Sequence, residues 1–166
     1  MDPRLAPLAA IFDLNTDLLL NCLDGLSDAE GRERLVGGGN SITFLAAHLT
    51  DSRHFLAARI GHPLDNPMAR YLEGARGFEE VRVWPTLEEV RSAWRSIGPH
   101  LQTALASLAA GELSRRHAHR FPLGDSTQLG LIAFLAQHDA YHLGQVAFLR
   151  RQLGRPAMSY SRPANA

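Results

Sequence analysis

A chain of 166 residues with 45% hydrophobic and 20% charged content has the balance of one soluble globular domain, residues 1–166 sharing a single core. Seventeen basic and seventeen acidic residues cancel to a formal charge of zero, which argues against a polyanion-binding surface and so against nucleic acid as a partner. The chain contains no Lys, which excludes Schiff-base chemistry, and its single cysteine, Cys22, cannot form an internal disulfide, which fits a reducing cytoplasm.

The N-terminal segment carries acids among its apolar residues instead of a basic head and an unbroken apolar run, so no secretory signal is expected. No apolar window is expected to reach bilayer-spanning length, so the reading is a cytoplasmic protein without membrane contact. Asp2 and Pro3 are a helix-start signal, and Leu5, Leu8, Phe12, Leu19 and Leu23 recur at helical spacing; a first helix is predicted over 3–23. The following stretch, through Gly37, Gly38 and Gly39, reads as a short acidic turn and a glycine linker.

Asn40 or Ser41 caps a second predicted helix that ends at Ile60, before Gly61 and Pro63. Its inward stripe takes in Phe44, Leu45, His48, Ser52, Phe55 and Leu56. Residues 62–85 form a long connection, long enough to cover a site. Thr86 to Glu89 match a capping box, and the third helix runs to about Ala109, with an interruption and kink at Gly98 and Pro99. From Gly111 to Asp125 the chain is a polar, basic loop. A fourth helix starts at Asp125 or Ser126 and ends at Leu153, before Gly154, with Arg150 and Arg151 complementing its dipole. The tail beyond Arg155 is loosely held coil. Four long helical segments and no alternation of period two predict an all-α four-helix bundle with a long connection between helices 2 and 3.

The chemistry concentrates in HDAYH, residues 138–142. His138 and His142 stand one helical turn apart, about 6 Å along the axis, a spacing that lets two imidazoles take adjacent corners of a metal tetrahedron. Asp139 occupies the position of the Glu in the HExxH protease pattern, which is therefore absent. Ile132, Leu135, Gln145, Val146, Leu149 and Leu153 share the broad face of the pair, so two polar rings stand where Leu is usual. Each unsatisfied polar group buried there costs roughly 1–3 kcal/mol, so a ligand or a hydrogen-bond network must compensate. His48, inward on the second helix, is the third candidate ligand. Two readings stand open: a three-His metal site with one free position, or rings satisfied within the protein.

HDAYHLGQVAFLRRQLG, residues 138–154, resembles the last-helix signature of the DinB/YfiT-like superfamily, in which paired histidines precede a Gly-Gln step and an apolar, Arg-bearing end. SITFLAAHLTDSRHFLAARIG, residues 41–61, resembles that family's second helix, which presents one His to the same metal. The resemblance implies a four-helix bundle, a divalent ion, zinc or nickel, on His48, His138 and His142, and frequently a homodimer. It further implies relatives that include mycothiol-dependent maleylpyruvate isomerases, bacillithiol transferases and metal-dependent hydrolases, and so transfer of a mycothiol- or bacillithiol-type thiol, or hydrolysis, on a small-molecule substrate; a non-catalytic metal-binding or stress-related module is the alternative. Gln145 is open between bonding a metal-bound water and satisfying the backbone. Asp51 and Asp139 are open between orienting ring nitrogens and lying exposed. Phe134, Tyr141 and Phe148, seven apart, are read as core or interface. His54, His62, His100, His117 and His119 are read as surface or capping residues, and Arg115, Arg116 and Arg120 as a solvated loop that could meet an anion.

Overall fold

A computed structural model of the protein describes residues 1–35, 37, 39–75, 77–117 and 121–160. Among the described residues the chain is all-helical, with seven α-helices, one 3-10 turn and no strand beyond a single bridge between Arg116 and Thr127. The helices are α1 (Ala6–Leu23), α2 (Asp28–Arg32), α3 (Ile42–Arg59), α4 (Ala69–Leu72), α5 (Leu87–Ser107), α6 (Ala110–Leu113) and α7 (Gln128–Gln152), with the 3-10 turn at Phe78–Glu80. His119 and Arg120 lie outside the described residues, as does Gly38.

Three of the four long helices begin where side chains satisfy free amides. Ser41 Oγ accepts from Phe44 N, Thr127 Oγ1 from Gly130 N, and Thr86 with Glu89 forms a reciprocal capping box. The first helix starts three residues later than predicted, because Asp2 holds a turn instead: its carboxylate accepts Arg4 N at 2.9 Å. The expected acidic turn is the short helix α2, whose Ser27 and Glu30 form a second capping box. The polar loop after α5 likewise contains a one-turn helix, α6.

Pro99 does not interrupt α5, which runs on to Ser107. One lost amide donor is outweighed by the buried stripe on both sides of it, Trp94 and Ile97 before, Leu101 and Leu105 after. Gly98 lets that stripe come close to α1: a Cβ there would stand 3.2 Å from Thr16 Cγ2. By length and composition helix α1 is long and apolar enough to cross a membrane, contrary to the expectation that no segment would be. Its apolar residues Phe12, Leu18, Leu19, Cys22 and Leu23 are buried in the helical core.

Helices α1 and α3 each pack against both α5 and α7. Core membership shows their directions. One apolar cluster joins Leu19 and Leu23 of α1 with Leu45, Val90, Trp94 and Val146. The other joins Ala9 and Phe12 with Leu56, Leu101, Leu105 and Leu131. The start of α1 therefore lies beside the start of α7 and the ends of α3 and α5. Helices α3 and α5 run parallel, so the chain between them, which carries α4 and the 3-10 turn, returns the length of a helix.

Between the two apolar clusters lies a polar layer. Arg53 and Asp139, each 1% exposed, are joined at 2.8 Å, and the Arg53 guanidinium also donates to Thr16 Oγ1 and Phe12 O and lies 3.6 Å from the Trp94 ring centre. The C-terminal end of α7 is fixed by Arg150. It lies in the last turn, as predicted, and is also a buried donor to Cys22 O, Asp24 O and Pro156 O. The tail is tied down as far as Ser159, through Arg155 on Glu30 and Ser159 N on Asn21 Oδ1.

Candidate metal centre

His48 on α3 and His138 and His142 on α7 come together at the level of the polar layer. One ring nitrogen of each lies within 4.8 Å of the others. Ring centres are 4.5, 5.0 and 5.1 Å apart with planes steeply inclined, so three imidazoles surround one point. His48 Nε2 and His138 Nε2 are 3.1 Å apart. Two nitrogens bound tetrahedrally at about 2.0–2.1 Å to one zinc ion would stand about 3.3 Å apart, so the spacing fits a shared ion. Among the described residues no carboxylate or thiolate joins the cluster, and an all-imidazole set suits zinc, nickel or copper over calcium or magnesium.

The protonation states suit ligation. Burial lowers the His48 pKa, with the neighbouring His142 charge acting the same way. Burial pushes His138 down to about 4, helped by His142 and His48. Both rings are thus neutral near pH 7 and offer lone pairs. Gln145 Oε1 accepts from His142 Nδ1 at 2.6 Å, which leaves His142 Nε2 as the free lone pair. His138 Nδ1 is buried without a hydrogen-bond partner among the described residues.

All three rings are only half-buried. The centre of the buried face of α7 is instead Asp139, Leu143 and Val146. The histidines therefore flank the core and stay partly exposed. Aromatic rings bound two sides of the cluster. Phe44 lies parallel to His48 at 6.1 Å, backed by Phe78 and Trp84 from between α4 and α5. Phe134 lies 6.1 Å from His138, backed by Phe121.

The family model of the DinB superfamily matches residues 11–146. The chain belongs to the DinB superfamily. A solved structure of a conserved protein from Enterococcus faecalis is similar to it in fold, with a TM-score of 0.69 over 91% of this chain and 98% of that one, at 15% identity. No curated protein matches the chain.

Within this DinB-superfamily protein several expected roles are reassigned. Gln145 Oε1 accepts from the His142 ring, a partner at the i, i+3 spacing visible in the sequence. Asp139 does not orient a ring: it pairs with Arg53, and sequence reasoning missed that pair. Asp51 is engaged by Asn66 Nδ2 at 2.7 Å. Phe55, expected inward, is 40% exposed, with the Arg59 guanidinium 5.0 Å from its ring centre. Tyr141 and Phe148 are 58% and 55% exposed, so they are not core.

The other described histidines stay apart from the cluster. His54 is buried, not a surface residue, with its Nδ1 3.4 Å from Leu64 O. His62 contacts Ser107 Oγ, and His100 contacts His62 O. His117 pairs its backbone with Ser126. Arg115 reaches Arg59 O and Gln128, and Arg116 reaches Ser126, so both are engaged by the protein.

Proposed function

We propose that this protein is a metal-dependent enzyme acting on a small molecule, in which His48, His138 and His142 hold one divalent ion, zinc or nickel. In this reading the scaffold is a DinB/YfiT-type four-helix bundle with residues 60–86 as its long connection. The reaction is transfer of a low-molecular-weight thiol of the mycothiol or bacillithiol type, or hydrolysis. The observation that carries it is the convergence of three ring nitrogens, from two helices, within 4.8 Å on a half-buried flank of the core.

Three ligands leave a further coordination position, and an ion held there would lower the pKa of a thiol or water beside it. The chain's own residues support that task. Gln145 fixes the tautomer and tilt of His142. Burial keeps His48 and His138 unprotonated. Phe44 and Phe134 shield two sides of the cluster from water. The free, buried Cys22 thiol fits the proposed cytoplasmic setting.

A second reading, a homodimeric metal-retaining module without turnover, is favoured by one feature, the exposed aromatic rings of Tyr141 and Phe148 on α7.

The deciding experiment is elemental analysis of protein purified without an affinity tag. One divalent ion per chain is expected, and His142→Ala is expected to lose it while circular dichroism stays helical. Full metal content in that variant overturns the ligand set. A screen of thiols against electrophiles and of hydrolysable esters and amides then separates the readings, since stoichiometric metal without any turnover leaves the binding module.

A further inference from the structure

Gly144 occupies the interior of α7, where glycine weakens a helix relative to alanine. The fold supplies no reason for it among the described residues. Its φ is not in the left-handed region. A Cβ built there would meet no heavy atom within 4 Å, whereas one at Gly31 would stand 2.6 Å from Thr43 Oγ1.

What Gly144 borders is a groove of about 480 Å³ between α7 and the residues that lead into α3, lined also by Asn40, Leu45, Tyr141, Gln145 and Phe148. That volume falls within the roughly 300–1,000 Å³ of small-molecule sites. The groove shares a wall with the histidine cluster. Gln145 Oε1 holds His142 Nδ1, and Gln145 Nε2 makes only a long 3.4 Å contact with the exposed Tyr141 hydroxyl, which an occupant can replace. Among the described lining residues none is ionised. Aromatic and aliphatic faces suit an apolar body, and the Asn40 and Gln145 amides suit one carbonyl or hydroxyl.

We propose that this groove binds the uncharged, aromatic-bodied part of the substrate and that Gly144 is its specificity-determining residue, keeping the space between Tyr141 and Phe148 open. The proposal rests on the reading of the three histidines as a metal centre, beside which the substrate would be held. A side chain at position 144 would enter the groove without disturbing the core, so the helix should form at least as well without the glycine.

The test uses the zinc-loaded full chain and the probe N-benzylacetamide, followed by amide chemical shifts. Saturable shifts are expected at Gly144, Gln145 and Phe148. N-benzylsuccinamate, the same scaffold carrying a carboxylate, is expected to bind at least about tenfold more weakly, since a buried unpaired charge is penalised. Gly144→Leu should weaken N-benzylacetamide by about tenfold or more and Gly144→Ala by less, with zinc content, melting temperature and sedimentation no lower than in the parent. Unchanged affinity in Gly144→Leu, an absence of saturable shifts in the parent, or equal binding of the carboxylate overturns the proposal. A changed sedimentation in Gly144→Leu with unchanged probe affinity assigns the glycine to contact with a second copy and also overturns it. If the parent chain binds the probe but no zinc, the metal reading fails while the groove stands.

Discussion

The Gln145 amide is the contact through which the candidate centre is most open to single-atom change. Its Oε1 takes the Nδ1 proton of His142 and so decides which nitrogen of that ring carries a lone pair. Removing such a partner typically lowers metal affinity about 10–100-fold without unfolding the protein. Gln145→Leu should therefore show that loss in a competition titration against a chelator, with an unchanged far-ultraviolet spectrum. An unchanged affinity would mean that packing alone orients the ring. Cys22 offers a second test at this scale. Burial raises its thiol to about 11, with the Arg150 charge opposing. The native protein should resist a disulfide reagent at about pH 8 and react with one thiol per chain in denaturant. Rapid labelling of the native protein would show that α1 opens readily.

At the scale of elements, the seam between α3 and α7 determines whether the three rings meet. The two helices are pinned by the Arg53–Asp139 pair, residues one and a half turns from His48 and directly beside His138, and Arg53 extends the connection to α1 through Thr16 and Phe12. Removing one partner of a buried ion pair strands the other charge and costs about 3–5 kcal/mol. Asp139→Ala should lose that much in urea unfolding with an unchanged slope. The double variant Arg53→Met, Asp139→Leu should recover most of it, and additivity of the two single changes would show that the pair is not coupled. Much of the architecture was legible beforehand, because α3, α5 and α7 carry N-cap residues and apolar repeats that fall within a few residues of the observed ends. The clustered histidines were legible too, since an i, i+4 pair fixes its own geometry. The Arg53–Asp139 pair was not, because it joins positions 86 residues apart and nothing local to either signals the other. Phe55 failed for a related reason: a helical stripe gives a face but not which edge of it meets a neighbour. The short helix α2 was visible in its Ser27 and Glu30 capping box, but five residues carry too little periodicity to register.

For the whole molecule, the half-buried histidines make stability a function of pH with a defined sign. The folded pKa values of His48 and His138 are depressed, His138 to about 4, below the unfolded value of about 6.5. Over that interval the unfolded chain binds more protons than the folded one, so stability is fully present above about pH 6.5 and declines as the pH falls toward 4. The metal-free protein should therefore melt at a lower temperature at pH 5 than at pH 7.5, and the doubly substituted His48→Phe, His138→Leu protein should show a smaller difference. A divalent ion on the triad adds to the same slope, because protons and metal compete for the same lone pairs. Zinc-loaded protein should gain stability over the metal-free form at neutral pH by an amount that grows with free zinc, as mass action requires, and should lose that gain on acidification. Parallel melting curves for the two forms across that pH range would mean that the histidines do not hold the ion, wherever else it binds.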